Sequence, residues 1–188
     1  MTPPAPGERG PTAALILIGS PGAGKTSVLE ALATQHEIER IEHGAFEAEQ
    51  LSLGWPQLAV ADCVSQLQAI LSLQHDAGRT LFLVSATVES DEHLAAVTAA
   101  CGAQRILVTC LTASPEVVAA RIDAREPDRW PGKAPLIERA RRLARSVREL
   151  SEVDLVIDTE DRIPEDVAAE IFAAMRERGL LDAGSRLQ

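Results

Sequence analysis

The sequence predicts a three-layer α/β/α domain built on a five-stranded parallel sheet with a short lid. Three observations indicate this fold: five strand patterns that alternate with helical patterns, a glycine-rich motif at the first strand-to-helix junction, and 188 residues of which 46% are hydrophobic. A chain of this length can bury one sizeable core. Apolar strands that alternate with helices are typical of parallel sheets covered on both faces.

The glycine-rich motif is G-S-P-G-A-G-K-T, from Gly19 to Thr26, and it lies between the apolar run Leu15–Ile18 and a helical pattern at Ser27–Gln35. The phosphate-binding pattern G-x-x-x-x-G-K-[ST] functions in this setting of strand, loop and helix. Glycines let the backbone approach an anion, and the helix N-terminus adds partial positive charge. The sequence therefore predicts a P-loop NTPase fold that binds a nucleoside triphosphate. The alternative interpretation is a glycine-rich turn without a ligand.

The nucleotide-contacting residues are predicted to be the loop and the start of the following helix. Lys25 is expected to reach the β- and γ-phosphates, and the Thr26 hydroxyl to ligate Mg²⁺. The other residues expected to surround the phosphates are Gly19, Ser20, Pro21, Gly22, Ala23, Gly24 and Ser27.

The next strand pattern is the alternation of apolar and polar residues at Glu37–His43, which predicts a more exposed strand. Ala45–Leu53 is expected to form a short helix or loop. Gln57–Gln74 has a helical pattern that the residues up to Gly78 terminate. The apolar run Thr80–Ser85 then predicts a third, buried strand.

The second half of the domain continues the alternation. A helix is expected at Asp91–Cys101, a strand at Arg105–Leu111, and a helix from Ser114 to about Arg125, because serine followed by proline is a favourable helix start. The remaining elements are expected to be a loop rich in proline and charge at Glu126–Pro135, a basic helix to about Leu150, a strand at Val153–Ile157 and a helix at Pro164–Arg178.

Composition and charge exclude several classes of protein. A net charge of −10 and a pI near 4.9 argue against a general nucleic-acid or membrane-surface binder, which needs a cationic face. Residues 1–12 lack a signal-peptide pattern, and no apolar run is long enough to span a bilayer. We expect a soluble, cytoplasmic monomer or homodimer with three reduced core thiols. The domain should span residues 13–178, with a disordered tail at 1–12 and a fraying tail at 179–188.

Other P-loop classes lack their signals in this sequence. A GTPase needs the guanine-recognition pattern N-K-x-D, which is absent. Motors and large ATPases usually have an apolar strand that ends in aspartate soon after the loop. Asp62 lies in a helical pattern and Asp158 closes the last strand, so neither fits well. We expect Mg²⁺ to be held by Thr26, substrate phosphates and water.

Several further patterns accompany the phosphate loop. The third strand ends in S-A-T at Ser85–Thr87, R-I-D-A-R occupies Arg121–Arg125 before the proline-rich loop, and the last strand ends in D-T at Asp158–Thr159. With these features the chain resembles small-molecule kinases of the adenylate kinase-like superfamily, among them gluconate kinase, adenylylsulfate kinase, shikimate kinase and chloramphenicol phosphotransferase-like enzymes. The resemblance covers almost the whole chain from Ala13 to Arg178.

The resemblance implies roles for the arginines near the lid. An arginine at the position of Arg121 stacks on adenine in such kinases, and one at the position of Arg125 contacts the transferring phosphate. Arg129 and Lys133 are expected to lie on the lid, at about residues 125–135, and to close over the phosphates. The alternative is that the three arginines, spaced by four residues, form a solvated helix face paired with nearby carboxylates.

The resemblance also implies a carboxylate after the second strand that orients or deprotonates an acceptor hydroxyl. Glu47 is the first choice, Glu49 the second and Glu42 a third. If this segment is helical, residues two apart lie on different faces, so only one of Glu47 and Glu49 can serve.

These expectations describe an ATP-dependent, Mg²⁺-dependent phosphotransferase that moves the γ-phosphate to a small hydroxylated or otherwise anionic metabolite. Two alternatives stay open: a nucleotide-binding regulatory or partner protein without kinase chemistry, and a simple NTP hydrolase. The preference for ATP over GTP and the identity of the acceptor are also open.

Overall fold

The computed structural model describes residues 12–51 and 53–181, which form five strands and seven α-helices. The strands are β1 (Ala13–Gly19), β2 (Gly44–Glu47), β3 (Leu81–Ala86), β4 (Arg105–Thr112) and β5 (Leu155–Asp158). The helices are α1 (Lys25–Ile38), α2 (Ala48–Leu51), α3 (Val60–Asp76), α4 (Asp91–Cys101), α5 (Pro115–Arg125), α6 (Lys133–Ser146) and α7 (Pro164–Glu177). A short 3₁₀ helix, Val147–Glu149, follows α6. Residues 1–11 and 182–188, most of the two expected tails, lie outside the described residues.

The five strands form one parallel sheet in the order β2-β3-β1-β4-β5. In the register of this sheet, Ile18 of β1 is paired with Ala86 of β3, and Gly19 is paired with Leu111 of β4. Because all strands run in the same direction, their carboxyl ends meet at one edge. This is the edge at which open α/β sheets bind ligands.

The central strand β1 is buried along its whole length, since helices cover both faces of the sheet. Leu15 and Leu17 face the side covered by α1 and α7, whereas Ile16 and Ile18 face the side covered by α3 and α4. An apolar residue at every position is what a doubly covered parallel strand requires. The predicted three-layer architecture is therefore confirmed.

Helices α5 and α6 pack on each other and form a smaller apolar cluster of their own. Val118 and Ile122 of α5 meet Ala140 of α6, and Ala113 after β4 joins them. The connection between the two helices, residues 126–132, corresponds to the expected lid loop. Leu180, beyond the expected domain boundary at residue 178, is also buried in the main core.

The cysteines are free thiols, as expected, although they differ in burial. Cys101 and Cys110 are buried, and burial raises the pKa of the first thiol to about 12 and of the second to about 11. Cys63 is only partly buried. In the described part of the chain, no helix combines the length and apolar character that crossing a membrane would require.

The predicted second strand was wrong in position. Glu37 and Ile38 complete α1 instead of beginning a strand, and β2 starts only at Gly44. The helix continues past Gln35 because His36 is fully buried against Phe172 of α7, with ring centroids 4.9 Å apart. Tertiary packing thus outweighed the short alternating pattern. The other elements match the predictions apart from a few residues at their ends.

His36 should make the fold sensitive to acid. Its Nδ1–H donates to the Leu32 carbonyl oxygen at 2.7 Å, its Nε2 has no hydrogen-bond partner among the described residues, and burial lowers its pKa from 6.5 to about 4. Between pH 6.5 and pH 4, His36 is therefore largely protonated in the unfolded chain and largely neutral in the folded one. Because of this difference, the free energy of unfolding is highest above pH 6.5 and falls by about 3 kcal/mol as the pH is lowered towards 4.

We expect His36→Leu to flatten this pH dependence of the free energy of unfolding, measured by urea denaturation from pH 4 to 7. The control is Leu73→Ala, which shortens an exposed, non-titratable side chain near the end of α3 and should leave the pH dependence as in the parent protein. Equal slopes for the parent and His36→Leu would contradict the assignment.

Candidate functional site

The phosphate loop, Ser20–Gly24, joins β1 to α1 at the carboxyl edge of the sheet. Gly22 and Gly24 both adopt left-handed backbone conformations, with φ of 83° and 93°. A Cβ atom on Gly22 would lie 2.7 Å from the Val118 carbonyl oxygen of α5, whereas one on Gly24 would meet nothing within 4 Å. The loop is thus packed against α5 on one side and open on the other, where the first amides of α1 are unpaired. This open concavity suits an anion.

Lys25 folds back over the loop. Its Nζ donates to the carbonyl oxygens of Gly19 at 3.0 Å and Ser20 at 3.2 Å. Burial lowers its pKa, while the carboxylates of Glu49 and Glu47 act in the opposite direction. The ammonium group therefore lies between the loop and two acidic side chains.

Glu47 and Glu49 both reach this edge of the sheet, by different routes. Glu47 ends β2, and its Oε2 accepts a hydrogen bond from the Thr26 hydroxyl at 2.8 Å. Glu49 lies in the first turn of α2, and its Oε1 accepts a hydrogen bond from the backbone N–H of Thr87, just after β3. The expectation that only one could serve assumed one continuous helix. Because the chain changes from strand to helix between them, both glutamates lie at the site.

The oxygen atoms near Thr26 fit a magnesium ion. Mg²⁺ prefers hard oxygen ligands and usually keeps water and substrate phosphates in its coordination shell. Thr26 and Glu47 supply such oxygens beside the loop. In the chain as described, no cluster of three or more His, Cys, Asp or Glu side chains could hold a metal by itself. A magnesium ion here would therefore depend on phosphate oxygens.

Arg121 and Thr159 hold the loop from its other side. The Arg121 guanidinium donates to the Gly22 carbonyl oxygen at 3.2 Å, to the Thr159 hydroxyl at 3.1 Å and to the Thr159 carbonyl oxygen at 2.8 Å. The Thr159 hydroxyl also lies 3.0 Å from the Ala23 carbonyl oxygen. Arg121 is therefore adjacent to the loop and bonded to protein groups, and its stacking on adenine stays a prediction. Thr159 was not predicted as a site residue; its position directly after the last strand was the signal.

Two of the predicted lid cations, Arg125 and Lys133, pair with nearby carboxylates in this structure. Arg125 is 59% exposed and pairs with Glu126 at 2.8 Å, and Arg129 is exposed. Lys133 is buried, and its Nζ lies 2.8 Å from the Asp123 carboxylate and 2.7 Å from that of Asp128. Lys133 thus stabilises the base of the connection between α5 and α6, and its contact with phosphates stays a prediction.

Glu42, the third candidate carboxylate, is misplaced because the second strand begins later than predicted. It is exposed and precedes β2, whereas Glu47 ends that strand. The strand runs from the Glu42 side of the sheet to the edge that carries the phosphate loop. Glu42 therefore lies away from the candidate site.

A cavity of about 280 Å³ opens beyond Glu49, between α3, α4 and α6. Its polar lining comes from Glu49, Gln57, Thr87, His93 and Arg139. Its apolar lining comes from Ala48, Leu53, Gly54, Leu58, Val60, Cys63, Val64, Leu67, Ala86 and Val97.

Arg139 is the main residue that the sequence analysis missed. Its side chain pairs with the carboxylate of Glu89 at 2.6 Å and also lines the cavity. The sequence did hold a signal, since Arg139 lies between Leu136 and Leu143 at helical spacing and so interrupts the apolar face of α6. An arginine within an apolar stripe can reach neighbouring elements of the protein, as Arg139 reaches Glu89.

Comparisons with known proteins agree with this fold. The sequence model of the AAA domain family matches residues 15–150, while a comparison with curated proteins found no match. An unliganded sugar kinase from Janibacter sp. is 17% identical, with a TM-score of 0.67, over 95% of this chain and all of that chain. A gluconokinase from Sinorhizobium meliloti is 20% identical, with a TM-score of 0.60, over 90% of this chain and 94% of that chain.

An APS kinase from Mycobacterium tuberculosis, solved with AMPPNP and APS, is also similar. It is 20% identical, with a TM-score of 0.59, over 88% of this chain and 98% of that chain. At such identities the likeness shows a shared fold. The predicted three-layer α/β P-loop fold is therefore confirmed.

The two left-handed glycines should differ in their tolerance of a methyl group. Both positions strain an L-residue by about 1–2 kcal/mol, but only Gly22 adds a clash with the Val118 carbonyl oxygen. We expect Gly22→Ala to lower the free energy of unfolding by at least about 1 kcal/mol more than Gly24→Ala, measured by urea denaturation. Equal losses would show that α5 does not pack on the loop as described.

Proposed function

The chain belongs to the AAA domain family, and we propose that it is an ATP-dependent phosphotransferase that moves the γ-phosphate to a small hydroxylated molecule. One observation carries this proposal: the Thr26 hydroxyl of the phosphate loop and the Glu47 carboxylate of the second strand are 2.8 Å apart. The contact joins the half of the site suited to a nucleotide to the half that carries acidic groups and a cavity.

The donor half binds the triphosphate. The loop amides and the N-terminus of α1 attract the phosphate oxygens, and Lys25 exchanges its two carbonyl contacts for contacts with the β- and γ-phosphates. Thr26 and Glu47 would hold Mg²⁺, which neutralises charge on the phosphate oxygens when bound. Arg121 lies beside the loop, where one face of its guanidinium can stack on adenine.

The acceptor half orients a hydroxyl towards the γ-phosphate. Glu47 is engaged with Thr26, whereas Glu49 faces the cavity. We therefore assign Glu49 the role of accepting the hydroxyl proton as the new oxygen–phosphorus bond forms and the bond to the ADP oxygen breaks. Arg125 and Arg129 would neutralise charge on the transferring phosphate, with Arg129 brought to it as residues 126–132 close over the loop.

Lys25→Ala should abolish transfer while the protein stays folded. Removing this ammonium takes away the cation beside the β,γ-oxygens, so we expect kcat/KM for ATP to fall about 10²-fold or more. The measurement is ADP release, with mass detection of phosphorylated product, against a panel of sugars, sugar acids, nucleosides and apolar alcohols.

The control is Arg141→Ala, which removes an exposed cation of α6 and should leave the rate unchanged. ADP release that never depends on an acceptor would favour an NTP hydrolase. Nucleotide binding without any turnover would favour a regulatory or partner protein.

Substitutions of Glu47 and Glu49 should have different kinetic effects. Glu49→Gln is expected to lower kcat about 10²-fold with little change in the KM for ATP, because the general base is lost. Glu47→Gln is expected to raise the Mg²⁺ concentration needed for half-maximal activity about tenfold or more, because a group beside the metal is lost.

Glu42→Gln is the matched control and should behave as the parent enzyme in both assays, since this glutamate lies away from the loop. Identical effects of Glu47→Gln and Glu49→Gln on kcat and on the Mg²⁺ requirement would contradict the two distinct assignments.

A further inference from the structure

The cavity beyond Glu49 is lined mainly by apolar side chains, and some of these side chains are exposed to solvent. Leu53 and Val60 line it and yet are 75% and 53% exposed. Trp55, in the same segment between α2 and α3, is 93% exposed. Leaving several large apolar side chains in water around one opening is unfavourable unless a ligand or partner covers them.

The polar groups of the cavity do not favour an anion. Arg139 is the cation among its described lining residues, and Glu89 already pairs with it at 2.6 Å. A second arginine, Arg142, lies 3.3 Å from the other oxygen of the same carboxylate. Burial lowers the pKa of His93, so its imidazole is neutral near pH 7. A carboxylate or sulfate on the acceptor would lose water on entering and would have to compete with Glu89 for Arg139.

Glu49 also disfavours an anionic acceptor. Its carboxylate lines the cavity and accepts a hydrogen bond from the Thr87 amide. A negative group placed there would be repelled, whereas a hydroxyl can donate a hydrogen bond to it. The cavity thus combines the Glu49 carboxylate, which accepts hydrogen bonds, with largely apolar walls.

We propose that the phosphate acceptor is an uncharged molecule with an apolar body, whose hydroxyl donates to Glu49 while the body packs on Leu58, Val60 and Val64. This proposal rests on the proposed function, because it describes the acceptor of that same site. It narrows the wider expectation of a hydroxylated or anionic metabolite. The cavity of about 280 Å³ has room for a body the size of one ring.

The test compares matched pairs of neutral and anionic alcohols. Benzyl alcohol and mandelate share a ring and a hydroxyl and differ by a carboxylate, and gluconate serves as a polar anion. Dissociation constants are measured by ligand-observed NMR on the whole protein with Mg²⁺ and a non-hydrolysable ATP analogue. We expect benzyl alcohol to bind at least about tenfold more tightly than mandelate or gluconate.

Variants locate the binding site. Leu58→Glu and Val60→Glu place a charge on partly exposed lining residues, so the fold should persist while the affinity for benzyl alcohol falls about tenfold or more. Leu73→Glu, at the far end of α3 and 64% exposed, is the matched control and should bind as the parent does. Affinity for the ATP analogue should be unchanged in all three variants.

Tighter binding of mandelate or gluconate, or no binding of benzyl alcohol, would overturn the inference. Benzyl alcohol binding that Leu58→Glu and Val60→Glu leave unaffected would overturn it too, since the ligand would then lie elsewhere. Failure of the proposed function is a separate result: the pocket would bind the neutral alcohol, but the parent protein would transfer no phosphate to any acceptor. Transfer to anionic acceptors alone would support the function and reject this substrate class.

Discussion

The burial of β1 between two layers of helices is the constraint on which the rest of the structure depends. Its residues are apolar on both faces, so the strand is fixed in the middle of the sheet with β3 and β4 as neighbours. A centrally fixed strand delivers the phosphate loop to a defined place at the carboxyl edge. Burial of the strand in the core thereby fixes the position of the loop that follows it.

The parallel direction of the strands brings residues that are distant in sequence to that edge. Thr26 follows β1, Glu47 ends β2 and Thr87 follows β3. Thr26 donates a hydrogen bond to Glu47, and the backbone N–H of Thr87 donates one to Glu49. The groups proposed to bind the nucleotide and the acceptor are therefore arranged along one line of strand ends. The helices on either face determine what surrounds this line: α5 supports the loop, whereas α3, α4 and α6 enclose the cavity.

Most of the fold could be predicted from local patterns, because buried strands are continuous apolar runs and helices have clear starts at Ser90 and Ser114. The second strand could not, since it is short and the packing of His36 on Phe172 extends the preceding helix. The loop residues were found because their motif is local. Thr159 and Arg139 were missed because their roles arise from contacts with Ala23 and Glu89, far away in the sequence.

The contacts of Arg121 and Thr159 with the loop have an entropic consequence. Two carbonyl groups of the loop, those of Gly22 and Ala23, are held by residues that follow β4 and β5. The loop is therefore ordered by the fold itself before any anion arrives. Fixing a flexible loop costs about 1–2 kcal/mol per residue, and here folding has already met that cost, so more of the attraction between loop and phosphate remains as affinity.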